Sequence, residues 1–249
     1  MSKRLEGKVA LVTGGSSGIG TAIVQSLATE GANVAFTYHS NKEGAESVLA
    51  EIESMGAQGA FFQADMADYA KAQEIVDQVI EKFGTLDILV NNAGANQDKV
   101  IWKMTEAMWD EVIATDLKGV FNYIRAASPN FREKKSGRII TISSINALRG
   151  KFGQSNYAAA KAGVIGLSKS VAKELGRANV TVNVVCPGLI ATKMIQSMPD
   201  DFKEKALEEI VLGRIGTPED IAELTTFLAS DGAKHITGEV IKVDGGQYI

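Results

Sequence analysis

Short runs of apolar and β-branched residues recur along the chain: KVALVT (8–13), NVAFTY (33–38), GAFFQA (59–64), DILVNN (87–92), GRIITIS (137–143), VTVNVV (180–185) and GEVIKV (238–243). Between them lie stretches of helix-forming composition, such as NKEGAESVLAEIESMG and YAKAQEIVDQVIEKFG. Strands apolar on both faces, joined by crossovers of this length, predict a parallel sheet with helices on each side. The expected fold class is α/β: a single Rossmann-type doubly wound domain over 1–249, with a seven-stranded parallel sheet flanked by helices. The longest irregular region, about 186–217, begins CPGLIATKM and follows the end of a strand, a common place for a substrate lid.

One helical pattern contains an anomaly. Between positions 157 and 175, Tyr157, Lys161, Val164, Ser168, Val171 and Leu175 fall on one stripe less than about 90° wide. An ammonium therefore sits on a face that should meet the core, which is costly unless it has partners or a wet cavity. Tyr157 and Lys161 occupy neighbouring turns, where the ammonium would stabilise a phenolate and lower the tyrosine pKa. Thirteen residues upstream of Tyr157, at the end of the fifth strand, a Ser144 hydroxyl could hold a carbonyl oxygen while Tyr157 protonates it and a hydride reaches carbon. On the opposite face Ala159, Gly163, Gly166 and Ser170 cluster within roughly 60° of arc, and such small side chains predict a close subunit contact.

The first strand leads directly into Thr13-Gly14-Gly15-Ser16-Ser17-Gly18-Ile19-Gly20, which opens an amphipathic helix through Leu27. Glycines there permit a tight turn and let backbone amides approach a pyrophosphate at the helix's positive end. The second strand ends Phe36-Thr37-Tyr38-His39-Ser40-Asn41-Lys42. It offers donors from His39, Ser40, Asn41 and Lys42 and no carboxylate to bind a ribose 2′-hydroxyl, so NADP is favoured over NAD.

Composition narrows the choices further. The 249 residues are 45% hydrophobic and 22% charged with net charge −4, and their Lys/Arg runs are no longer than pairs such as Lys134-Lys135, so charge-driven nucleic-acid binding is not expected. No apolar run approaches bilayer length, and MSKRLEGKVALVTGG reaches a turn too soon for a signal peptide, which predicts a cytoplasmic protein with no membrane partner. Cys186 has no second cysteine to pair with, and with His39 and His235 as the two histidines no metal site is expected.

Taken together, these motifs resemble the short-chain dehydrogenase/reductase family. TGGSSGIG (13–20), Asp65, NNAG (91–94), Ser144, YAAAK (157–161) and PGLIAT (187–192) follow the family's order and spacing over essentially the whole chain. The resemblance implies cofactor contacts from Gly14, Ser16, Ser17, Gly18, Ile19 and Gly20, from Tyr38, His39 and Ser40, and from Asp65 and Met66 at the adenine. It also implies that Asn91 to Gly94 (including Asn92 and Ala93) support the sheet and ribose, that Tyr157 and Lys161 reach the nicotinamide ribose, and that Pro187, Gly188, Ile190 and Thr192 border the nicotinamide.

The implied catalytic residues are Ser144, Tyr157 and Lys161, with Asp116 in VIATDLKG where the family often has asparagine. In the family that residue helps hold a water linking the lysine to solvent. An aspartate suffices if its backbone carbonyl does this, and shifts the pH profile if a neutral side chain is needed.

Within the family, SSINALRGKFGQSNYAAAKAG and KMTEAMWDEVI are similar to 3-oxoacyl-thioester reductases of fatty acid metabolism, acting on acyl-carrier-protein (ACP) or CoA thioesters. That similarity places Phe152 and Gln154, with Ser144 and Tyr157, around the acyl portion, and makes Lys134, Lys135 and Arg177 candidate docking charges for an acidic carrier protein. The family also commonly forms homotetramers through this helix and its neighbour. Two alternatives stay open: a sugar or cyclic-alcohol dehydrogenase, since TYHSN is similar to some glucose dehydrogenases, and a non-catalytic NADP-binding regulatory member.

Overall fold

The computed structural model describes residues 3–192 and 207–249. Its seven parallel strands are β1 (Val9–Val12), β2 (Asn33–Tyr38), β3 (Gly59–Gln63), β4 (Ile88–Asn91), β5 (Gly137–Ile142), β6 (Val180–Pro187) and β7 (Val240–Val243). They lie in the order β3-β2-β1-β4-β5-β6-β7. The principal helices are α1 (Gly18–Thr29), α2 (Lys42–Ser54), α3 (Tyr69–Phe83), α4 (Glu106–Ile113), α5 (Gly119–Lys134), α6 (Asn146–Arg149), α7 (Ser155–Leu175) and α8 (Pro218–Ala229). Among the described residues no helix is long and apolar enough to cross a membrane.

The period of two in the central strands divides the core. Ala10, Val12, Val34, Phe36 and Val90 pack with α1, α2 and α8 on one face, while Val9, Leu11, Leu89, Ile139 and Val182 pack with α3, α5 and α7 on the other. Runs apolar on both faces are thus explained for β1, β2, β4, β5 and β6. The edge strands β3 and β7 are mostly half-buried, because each has a neighbour on one side only. β6 also runs two residues further than its sequence pattern, since Cys186 and Pro187 pair with Lys242 and Val243 of β7. The expected lid at 186–217 therefore leaves the sheet at Gly188, and its residues 193–206 lie outside the described residues.

Successive strands step outward from β1 in opposite directions, β2 to one side and β4 to the other. Their carboxyl ends diverge at this switch point and leave a crevice. Across the crevice, α4 passes into α5 through a π-turn at Ala114–Lys118. Such a turn holds more residues than an α-turn, changing which side chains face inward. Here it buries Asp116 completely.

Candidate active site

A groove of about 700 Å³ occupies this crevice. Its lining includes Gly14, Ser16, Ser17, Gly18, Ile19 and Gly20, then Tyr38, His39, Ser40, Asp65 and Met66, and finally Asn92, Ala93, Gly94 and Thr192. The glycines are sterically required. A Cβ at Gly20 would stand 2.0 Å from the Gly14 carbonyl oxygen, and Gly14 has φ +69° with Ala93 Cα 2.9 Å from any added Cβ. Ser17 precedes α1 without a side-chain capping bond, so the helix presents its first amides to the groove. A closely approached backbone and a positive helix end fit the pyrophosphate of a nicotinamide dinucleotide.

The loop is held from the other side of the crevice. Asn92 Nδ2 donates to the carbonyl oxygens of Thr13 at 3.0 Å and Gly14 at 3.1 Å, while Thr13 Oγ1 accepts from the amides of Asn92 and Ala93 at 3.0 and 3.1 Å. Thr37 Oγ1 accepts from Gly14 N at 3.1 Å.

Not every predicted cofactor residue reaches the groove. Pro187 ends β6, a Cβ on Gly188 would meet Asp244, and Ile190 is packed in the core, leaving Thr192 as the lining residue of that stretch. At the far end Asn41 has spent its amide: Nδ2 donates to Ser16 O at 2.9 Å and Oδ1 accepts from Gly44 N, capping α2. Lys42 pairs with Glu46 at 3.3 Å. His39 and Ser40 remain exposed and line the groove.

Glu111 and Thr115 also line it and were not anticipated, although their i, i+4 spacing put them on one helix face.

Beyond the groove, the ends of β5 and α7 bring together the inward lysine and its partners. Lys161 is 4% exposed, and its Nζ donates to Ile142 O at 3.2 Å, faces Asp116 Oδ2 at 3.3 Å and lies 5.6 Å from the centre of the Tyr157 ring. The stripe is buried as expected except for Tyr157, which is half-buried and so reachable. Asp116 Oδ1 accepts from Ala95 N at 2.7 Å, fixing the carboxylate. The position that departs from the family pattern thus forms a buried ion pair with the lysine.

This pair changes the expected electrostatics. Burial is the largest influence on the Tyr157 phenol and pushes its pKa above the ordinary tyrosine value. Lys161 pulls it down as anticipated and Asp116 pushes it back up, so the net direction is upward rather than downward. Burial also disfavours the Lys161 ammonium, but Asp116 and the phenol outweigh it and hold the lysine above its ordinary value.

Ser144 is buried, and its Oγ accepts from Asn146 N at 3.1 Å. Asn146 Nδ2 in turn donates to Gln154 Oε1 at 3.0 Å, and Gln154 Nε2 donates to Asp98 Oδ2 at 2.8 Å. Gln154, expected at the acyl portion, is buried with its amide committed to this chain, so it positions the loop rather than offering a free amide. Phe152 is the opposite case, 82% exposed.

Two surface regions singled out from the sequence gain detail. Lys134, Lys135 and Arg177 are all exposed, and Lys134 Nζ is in addition engaged by Thr85 Oγ1, Leu86 O and Asp87. On α7 a Cβ at Gly163 would stand 3.0 Å from Leu117, so that glycine is explained within the chain, while a Cβ at Gly166 would meet nothing.

Comparison with known proteins agrees with this geometry. A family model described as enoyl-(acyl carrier protein) reductase matches residues 14–247. The 3-oxoacyl-(acyl-carrier-protein) reductase of Staphylococcus aureus is 48% identical over 242 residues, covering 97% of this chain and 98% of its own. Its namesake in Escherichia coli is 43% identical over 98% of both chains. Among solved structures, a mutant Serratia marcescens short-chain dehydrogenase/reductase superposes with TM-score 0.94 at 39% identity, covering 98% of this chain and 99% of that one. A putative short-chain alcohol dehydrogenase from Sinorhizobium meliloti gives 0.95 at 35% identity over 99% and 98%. Matched in sequence and fold from end to end, the chain belongs to the short-chain dehydrogenase/reductase family.

Proposed function

We propose that the protein reduces the 3-oxo group of an acyl thioester carried by ACP or CoA, using NADPH. The observation that carries this reading is the buried Lys161 ammonium beneath a half-buried Tyr157 phenol, with the Ser144 hydroxyl at the end of the adjoining strand. The relatives named 3-oxoacyl-(acyl-carrier-protein) reductases support the choice of thioester.

When bound, the reduced nicotinamide supplies the hydride to C3. Ser144 donates a hydrogen bond that orients the carbonyl oxygen, and Tyr157 gives that oxygen its proton. Lys161 stabilises the phenolate left behind, opposing burial and Asp116, which hold the phenol's pKa above its ordinary value. NADPH is preferred because the end of β2 carries His39 and Ser40 in the open and no carboxylate.

The test follows NADPH oxidation with acetoacetyl-CoA and with a 3-oxoacyl-ACP, beside NADH controls. Turnover abolished by Tyr157→Phe is the expected result; failure to turn over either thioester would overturn the reading.

We further propose a homotetramer that buries the Ala159–Gly166 face of α7 and the neighbouring α5, where Phe121 is 43% exposed and its ring stacks on Tyr69 at 6.4 Å. Sedimentation as a monomer at micromolar concentration would reject it.

A further inference from the structure

The groove that fits the dinucleotide is lined by two segments from different strands: Ser16 and Ser17 after β1, and His39 and Ser40 after β2. Its described lining holds no lysine or arginine and does include Asp65 and Glu111. A 2′-phosphate must therefore be recognised by hydroxyls, an imidazole and backbone amides acting together. Hydrogen bonds from such donors weaken steeply with distance and angle, whereas the attraction of a cation falls only as the inverse of its distance. The spacing of the two segments then matters more than it would in a site built on charge.

One side chain sets that spacing. Asn41 Nδ2 donates to Ser16 O at 2.9 Å, while its Oδ1 accepts from Gly44 N at 3.2 Å in the first turn of α2. Its amide is thus held at both ends, between the glycine loop and the helix that follows the turn. Gly44 marks the bridge independently. It lies inside α2 without a positive φ, where alanine would stabilise the helix. What glycine supplies there is room, since a Cβ would stand 2.1 Å from Asn41 Nδ2 and 2.6 Å from Ser16 O. From the other side Gln63 Nε2 donates to His39 O at 2.9 Å, so the turn is fixed to β3 as well.

We propose that Asn41 is a positioning residue for cofactor choice: by tying Ser16 to the turn that carries His39 and Ser40, it fixes the spacing at which the two segments grip a 2′-phosphate together. The proposal rests on the NADPH reading above and names the contact that sustains it. A free 2′-hydroxyl is small enough to bond to one segment alone and gains nothing from the bridge. A cap for α2 alone would use the oxygen of Asn41 and not its NH2, since serine caps a helix as well as asparagine does.

The experiment compares the parent with Asn41→Ser, Asn41→Ala and Gly44→Ala. Asn41 is exposed, so its replacement leaves the core intact. Serine keeps a cap for α2 and lacks the reach to bridge to Ser16, whereas alanine removes cap and bridge together. Binding of adenosine 2′,5′-bisphosphate and of 5′-AMP is measured by calorimetry without turnover, beside the melting temperature of the protein without ligand. The parent is expected to bind the bisphosphate more tightly, and Asn41→Ser to lower that preference about fivefold with the affinity for 5′-AMP nearly unchanged. Gly44→Ala should lower it similarly by crowding the same amide. Asn41→Ala should melt below Asn41→Ser yet show the same preference. A preference that survives Asn41→Ser or Gly44→Ala, a loss shared equally by both nucleotides, or a preference that follows the melting temperature overturns the proposal. A parent that binds the two nucleotides equally removes the NADPH reading itself, and the role of Asn41 with it.

Discussion

Over the glycine loop the chain offers a ligand its backbone, and over β5 and α7 it offers side chains. The first region is defined by missing atoms: a Cβ at Gly14 or Gly20 would collide with neighbouring backbone, and the α1 amides receive no cap from Ser17. The second is defined by groups that are expensive to bury, Lys161 and Asp116, each made tolerable by the other. Steric exclusion therefore shapes recognition in one half of the crevice and charge compensation shapes reactivity in the other. Substitutions should separate them, the first half failing in binding and the second in rate.

The widest separation is expected from Tyr157→Phe. Losing the acid should lower kcat by a factor of about 10² to 10⁴ with little change in NADPH affinity, measured by fluorescence titration. Equal losses in both would erase the contrast. Gly20→Ala should do the reverse, raising the cofactor KM steeply and lowering stability by about 1–3 kcal/mol in thermal denaturation, since the colliding atom is a carbonyl oxygen. A normal cofactor KM there would show that the loop can yield.

Within the binding half, His39→Asp places a carboxylate at the end of β2 and should reduce the NADPH-to-NADH preference by about tenfold, read from the two kcat/KM values.

Asp116→Asn is the subtlest change, because it preserves the oxygen that accepts from Ala95 N and alters only the atom that faces Lys161, replacing a carboxylate oxygen with a neutral NH2. Asp116 raises the pKa values of both Tyr157 and Lys161, so its neutralisation lowers both. Reduction needs the protonated phenol and is lost as pH rises through its pKa. The alkaline limb for reduction should therefore move to lower pH, as should the acid limb for oxidation of the 3-hydroxyacyl thioester, which needs phenolate. Superimposable profiles for this variant and the parent would remove the carboxylate from proton control.

Much of this contrast was legible in the sequence, for reasons that differ by element. The strands announced themselves because an interior parallel strand must be apolar on both faces, and the Tyr157–Lys161 stripe because helical spacing exposes a misplaced charge. The π-turn was not legible: no residue in ATDLK distinguishes it from an α-turn, and it is this turn that puts Asp116 into contact with Lys161. The partners of Gln154 and Lys134 were hidden in a related way. They lie 56 residues away at Asp98 and 47 away at Asp87, distances along the chain that only folding closes.

The clasp of Asn92 and Thr13 on the glycine loop bears on how fast a dinucleotide can be captured and released. A phosphate loop whose start is already fixed by four hydrogen bonds to Asn92 and Ala93, just past β4, has little disorder left to surrender when the ligand arrives. Association should therefore be a single fast phase with no slow loop-ordering step, leaving the residence time of the spent cofactor to be set by contacts with the groove itself.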